Sequence, residues 1–171
     1  MMAYNFAIPG IPVIYYGDEI GMPGANDPDS RRMMRFDRGL GAAQKNGSAV
    51  GLSPREKQQR TIVAQMAQFR KSHMSMTYGD MKVTAPSDDV LIIQRKYFGE
   101  IVYAVFNRSN TTKTIELSFS EGTYPIEMKT GKTFTGIVGG IRTFNDSKLI
   151  QDDMGTVWVV IPPGKFEWVY N

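Results

Sequence analysis

Near its start the chain carries Ile11-Pro12-Val13-Ile14-Tyr15-Tyr16, an apolar run without a break that stops at Gly17. β-branched and aromatic residues of this kind favour strands. The run does not alternate apolar with polar, so it predicts a strand covered on both faces, as in a parallel sheet or barrel. Pro12 fits near a strand start, where a ladder donor is often free. Such a strand needs neighbours on each side. The loop behind it holds Asp18, Glu19, Asp27, Asp29, Arg31 and Arg32. In α/β barrels substrates bind at that end of the strands.

With 171 residues the chain has room for one domain, or one domain plus part of another. Its 42% apolar and 22% charged content is that of a globular chain, and no apolar stretch is long enough for a membrane span. No basic leader with an apolar core opens it. The absence of cysteine excludes disulfides and thiolate metal sites but leaves the compartment open. The single histidine, His73, cannot build a multi-histidine site, and Asp27-Pro28-Asp29-Ser30-Arg31 lacks the Gly and distal Glu of a calcium loop. Neither a metal nor a cofactor is therefore expected. A net charge of +3, with one basic cluster at Arg31 to Arg38 and no nucleic-acid motif, argues against a nucleic-acid partner.

Residues 3–9 read as the end of a helix. Gly17 to about Gly51 reads as a long loop of a length that is commonly functional. A helix follows from Pro54 to about Ser72: Ser53 is the N-cap, Pro54 takes the first position and Glu56 completes a capping box. Ile62, Met66 and Phe69, flanked by Val63 and Ala67, form its apolar face, with Arg70 and the other cations placed on other sides. From Tyr78 the pattern becomes short strands between turn residues: Lys82–Thr84, Val90–Tyr97, Ile101–Asn107, Thr114–Phe119, Tyr124–Met128, Phe134–Val138, Val157–Ile161 and Phe166–Tyr170. This predicts an antiparallel sandwich or barrel. Trp158 and Trp168 lie in strand patterns, which favours burial over an exposed sugar platform.

Gly10 to Met22 (GIPVIYYGDEIGM) and Gly24 to Met34 (GANDPDSRRMM) together resemble the last barrel strand and following loop of the α-amylase family, glycoside hydrolase family 13, nearest its neopullulanase and cyclomaltodextrinase branch. The resemblance departs at Met34-Arg35-Phe36, where that branch has Pro or Met followed by Trp. It implies a mainly β chain: the last strand–loop–helix unit of a (β/α)8 barrel in residues 1–77, then a C-terminal antiparallel β-sandwich of Greek-key type in residues 78–171. It further implies a parent enzyme that cleaves α-glucosidic bonds of α-glucans or maltooligosaccharides by a retaining, two-carboxylate mechanism.

No residue here matches the family's three catalytic carboxylates, so no catalytic residue is expected and the chain alone is expected to be inactive. Asp18 and Glu19 leave a strand on opposite sides, cannot easily flank one bond, and read as structural. Asp27 and Arg31 match the family's Asn-Asp-Pro-x-x-Arg loop, which contacts glucose units, with Asn26, Asp29 and Arg32 as secondary candidates. An Asp27–Arg31 loop brace is the competing reading. A non-catalytic carbohydrate-binding or assembly module is the alternative function. The partner covering Ile11–Tyr16 is then the missing barrel segment or another copy of the chain.

Overall fold

The computed structural model describes residues 2–34, 51–119, 132–135, 137–138, 141–151 and 157–171. The expected strand Tyr124–Met128 and residues 35–50 of the expected long loop lie outside these residues. By contacts the chain divides into two units. One holds Ala3–Gly10 and Arg70–Asn171, the other Ile11–Phe69.

The larger unit is built on two antiparallel sheets. Its strands are β1 (Asp80–Ser87), β2 (Val90–Tyr97), β3 (Glu100–Asn107), β4 (Lys113–Leu117), β5 (Lys132–Thr135), β6 (Ile137–Val138), β7 (Ile141–Thr143), β8 (Lys148–Gln151), β9 (Val157–Ile161) and β10 (Phe166–Tyr170). One sheet has the order β1-β2-β3-β10-β7-β6, the other β4-β9-β8-β5. β3 pairs with β10 in the first sheet and β4 with β9 in the second, so the chain crosses between sheets from β3 to β4 and returns from β9 to β10. Between them lies one core. Val90, Ile92, Ile101, Val105 and Val169 come from the first sheet, and Ile115, Leu117, Leu149, Val159 and Ile161 from the second.

Alternation along β2 and β3 turns Ile93, Arg95, Val102 and Ala104 to the other face of the six-stranded sheet, yet all four are fully buried. Helix α1 (Met2–Ala7) supplies part of the cover: the Tyr4 ring meets Phe106 edge-on at 6.2 Å. The short α3 (Met74–Tyr78) supplies more, with Ser75 and Met76 buried. Gly79, which links α3 to β1, has no room for a Cβ, which would meet the carbonyls of Ser75 and Lys96.

Two arginines hold these pieces together. Arg95 donates to the carbonyls of Ala7 (2.9 Å) and Gly79 (2.8 Å). Arg70 donates to Phe6 (2.6 Å), Ile8 (3.1 Å) and Gly10 (2.6 Å). The last carbonyls of a helix have no partners within it, and guanidinium is a good substitute. The expectation that Arg70 lies away from the apolar side of its helix is thus corrected. It follows the buried stripe Val63–Met66, and its fork needs buried carbonyls.

In the smaller unit, α2 starts as expected and runs Pro54–Ser72, through the division between the units. Glu56 accepts from Ser53 N–H at 2.8 Å, and Ser53 Oγ accepts from Glu56 N–H at 3.3 Å. Val63, Met66 and Phe69 are buried, while Ala67 is exposed and Ile62 half-buried. Replacing Ser53 with alanine is expected to cost about 1 kcal/mol, read as a lower urea midpoint at unchanged slope. Ile11–Tyr16 is the second correction. It takes no place in either sheet, and Ile11 (91%) and Val13 (77%) stand in solvent. The physical reason is that strand propensity makes no ladder without a strand beside it.

Candidate functional site

The loop after Ile11–Tyr16 is shaped by two glycines and two carboxylates. Gly17 (φ 96°) and Gly21 (φ 65°) bracket a single 3-10 turn, Asp18–Ile20. Both glycines have left-handed backbone that other residues resist. Asp18 accepts from Tyr15 N–H at 3.3 Å and Glu19 from Gly17 N–H at 2.8 Å. Both carboxylates therefore brace their own turn. Ile20, at its end, is buried.

A second 3-10 turn, Asp29–Arg31, follows a cis Asp27–Pro28 peptide. Asp29 ends up committed. It accepts from Ala25 N–H at 2.8 Å and takes both prongs of Arg32, at 2.6 and 2.9 Å. Those bonds, Arg32 first, hold the Asp29 carboxyl below its ordinary range and raise the Arg32 guanidinium. Asp27 and Arg31 meet at 2.7 Å with both side chains more than 60% exposed. The brace reading of this pair is therefore realised, but an exposed pair contributes little to stability and leaves oxygen and nitrogen atoms open to a ligand.

Two aromatic rings belong to the same unit. The Tyr15 and Tyr16 rings lie 4.6 Å apart. A hydrogen bond with Tyr15 pushes the Tyr16 phenol up, while the Arg31 charge pulls it the other way. Rings, a carboxylate and a guanidinium thus occur on one solvent-open segment. Rings offer flat apolar faces to the C–H side of a sugar, and the charged pair offers strong partners to its hydroxyls. Sequence reasoning did not connect Tyr16 with Arg31; the extended backbone of an isolated strand carries no signal for it.

Trp158 and Trp168 are buried, as expected, and so are not sugar platforms. His73 precedes α3, with its ring edge-on to Tyr170 at 4.9 Å. Asn107 opens an Asn-X-Ser sequence, but its amide is buried and donates to the carbonyls of Thr111 (2.8 Å) and Ile161 (3.0 Å). No group of three His, Cys, Asp or Glu side chains gathers among the described residues.

An antiparallel two-sheet module thus follows this loop in the chain. The chain is 30% identical over 140 residues to a cyclomaltodextrinase of Geobacillus thermopakistaniensis, covering 78% of this chain and 21% of that protein. It is 26% identical over 175 residues to a cyclomaltodextrin glucanotransferase of Bacillus sp. (strain 38-2), covering 99% and 21%. The fold matches the crystal structure of an α-amylase from Geobacillus thermoleovorans, solved in complex with acarbose. There the TM-score is 0.67 at 24% identity, over 99% of this chain and 31% of that one. No family model matches. The chain spans about a fifth of the length of these curated relatives. It corresponds to the C-terminal portion of a protein of the α-amylase family, glycoside hydrolase family 13.

Proposed function

We propose that this chain is the closing part of an α-glucan-acting glycoside hydrolase: the last strand, loop and helix of a barrel in residues 1–77 and the trailing sandwich in 78–171. In this reading the retaining two-carboxylate chemistry belongs to barrel strands outside the chain. Asp27 and Arg31 bind glucose units beside the scissile bond, the carboxylate accepting from hydroxyls and the guanidinium donating to them. The observation that carries it is the exposure of an apolar segment, Ile11 to Tyr16, immediately before that polar loop. A segment of this composition is stable in water only when other chain covers it.

The 171-residue chain mixed with maltoheptaose is expected to release no reducing sugar above the blank; sustained release would overturn the reading. In a protein that includes the upstream barrel, Asp27→Ala and Arg31→Ala are expected to raise KM for maltoheptaose about tenfold or more, since each removes charge-assisted hydrogen bonds. Unchanged KM in both would remove the two residues from the sugar site. The same exposure supports a second reading, an assembly module in which another copy covers Ile11–Tyr16. Sedimentation separates the two, because only the second expects a dimer that Val13→Glu dissociates.

A further inference from the structure

The β2–β3 hairpin ends in a two-residue loop, Phe98-Gly99, between the paired residues Tyr97 and Glu100. Phe98 stands there at φ 50° with 83% of its surface exposed. Tight hairpin loops often require positive φ, and glycine or asparagine meet that need with least strain. A bulky aromatic in this conformation is uncommon, and such strain concentrates at functional positions. The ring does not bury itself in return. It stands edge-on to Tyr97 at 4.7 Å. Tyr97 in turn neighbours Tyr78, the last residue of α3, at 6.1 Å, and Tyr78 is 66% exposed.

These rings come from two elements that are tied together. Glu100 accepts from Ser75 N–H at 2.8 Å, which fixes α3 to the hairpin. Asn171 donates through its amide to Gly99 C=O at 3.1 Å and accepts from Ile101 N–H at 2.8 Å, which pins the hairpin tip. The rings are thus presented to water in a fixed arrangement, so little ordering is lost when a ligand stacks on them. Two carry phenol groups that both donate and accept.

We propose that Tyr78, Tyr97 and Phe98 form a stacking platform for an α-linked glucose oligomer, on the sandwich unit and separate from the Asp27–Arg31 loop. The choice of an α-glucan rests on the function proposed above. The platform itself rests on the hairpin geometry. Pyranose rings present a flat C–H face that stacks on aromatic rings, and their hydroxyls suit the two phenols.

The test is titration of the 171-residue chain with maltoheptaose and, in parallel, with β-linked cellohexaose, followed by aromatic side-chain NMR. The expected result is shifts at Tyr78, Tyr97 and Phe98 with maltoheptaose and weaker ones with cellohexaose. Phe98→Asn gives the loop a favoured hairpin sequence while removing the ring, so it keeps the fold. It is expected to weaken binding about fivefold, as is Tyr78→Ser, in line with the energy of one stacked ring. No shift at these rings in the starting chain overturns the platform. So does binding that survives Phe98→Asn and Tyr78→Ser but is lost in the Asp27→Ala, Arg31→Ala double variant. That last pattern would leave the proposed sugar loop standing.

Discussion

Arg95→Ala is expected to lower the unfolding free energy of the chain by about 3 kcal/mol. The side chain is fully buried and donates to two carbonyls, Ala7 and Gly79, that lie 72 residues apart. Each buried carbonyl left without a donor costs about 1–3 kcal/mol, and the emptied volume adds to that. Two effects oppose the loss. The guanidinium is itself desolvated, and the nearby Arg70 charge repels it. Both hold its pKa below the ordinary arginine value, burial most strongly. Arg70 is lowered by burial as well. The Arg70→Ala, Arg95→Ala double variant should therefore lose more than the sum of the single losses, because each single change already relieves the mutual repulsion and the sum counts that relief twice. Arg95→Lys should recover only part, since a point charge cannot span both carbonyls as the planar fork does. Urea unfolding followed by circular dichroism gives these numbers. Hydrogen exchange at Ile8, whose N–H bonds Tyr4 at 3.2 Å, reports whether α1 is the piece that loosens. A loss below about 0.5 kcal/mol would mean that water replaces the guanidinium at both carbonyls.

Neither arginine was legible in the sequence, and the reason is general. Both sit where an apolar residue fits the pattern, Arg70 four residues beyond Met66 and Arg95 two beyond Ile93. Pattern reading assigns a cation to solvent, whereas here carbonyls from a distant helix end make burial tolerable. What the sequence did carry was local. The Ser53–Glu56 box and Pro54 placed the start of α2, and β2, β9 and β10 were bounded by turn residues. β7 and β8 were not foreseen, because strands of three residues between Gly140 and Asn145, and of four after Asp146, hold too little pattern to register. α3 was not foreseen for the same reason. Ile11–Tyr16 failed in the opposite sense: its composition is that of a strand, but it joins neither sheet. At the site, Asp27 and Arg31 were legible as a motif. Their mutual contact was one of two readings, and their relation to Tyr16 was not visible at all.

Glu167 carries the other large effect. It is fully buried on β10, and its carboxylate accepts from the N–H groups of Asn145 (2.8 Å), Ser147 (3.1 Å) and Trp168 (2.9 Å). Asn145 and Ser147 belong to the link from β7 to β8, where the chain passes from one sheet to the other and ladder partners run out. The carboxylate thus takes the place of a missing strand. Glu167→Ala is expected to cost about 3 kcal/mol, because two turn N–H groups lose their acceptor and a cavity opens. Burial raises the Glu167 pKa above its ordinary value, although the Ser147 and backbone donors pull it down. The linkage sign follows. A carboxyl with a folded pKa above its unfolded one holds more protons in the native state between the two values. Its contribution is complete below the unfolded pKa and is lost as pH rises through the folded one. Asp29, held low by Arg32, acts in the opposite direction and loses its contribution on acidification. Glu167→Gln isolates the first effect. The amide cannot ionise, so the stability difference between parent and variant should shrink as pH climbs out of the acidic range, with Asp29 cancelling between them. Glutamine also turns an N–H toward donors, so the variant should remain the less stable of the two at acidic pH. Chemical unfolding of both proteins across the acidic to neutral range measures this difference, and a gap that widens with pH would show the donors outweighing burial.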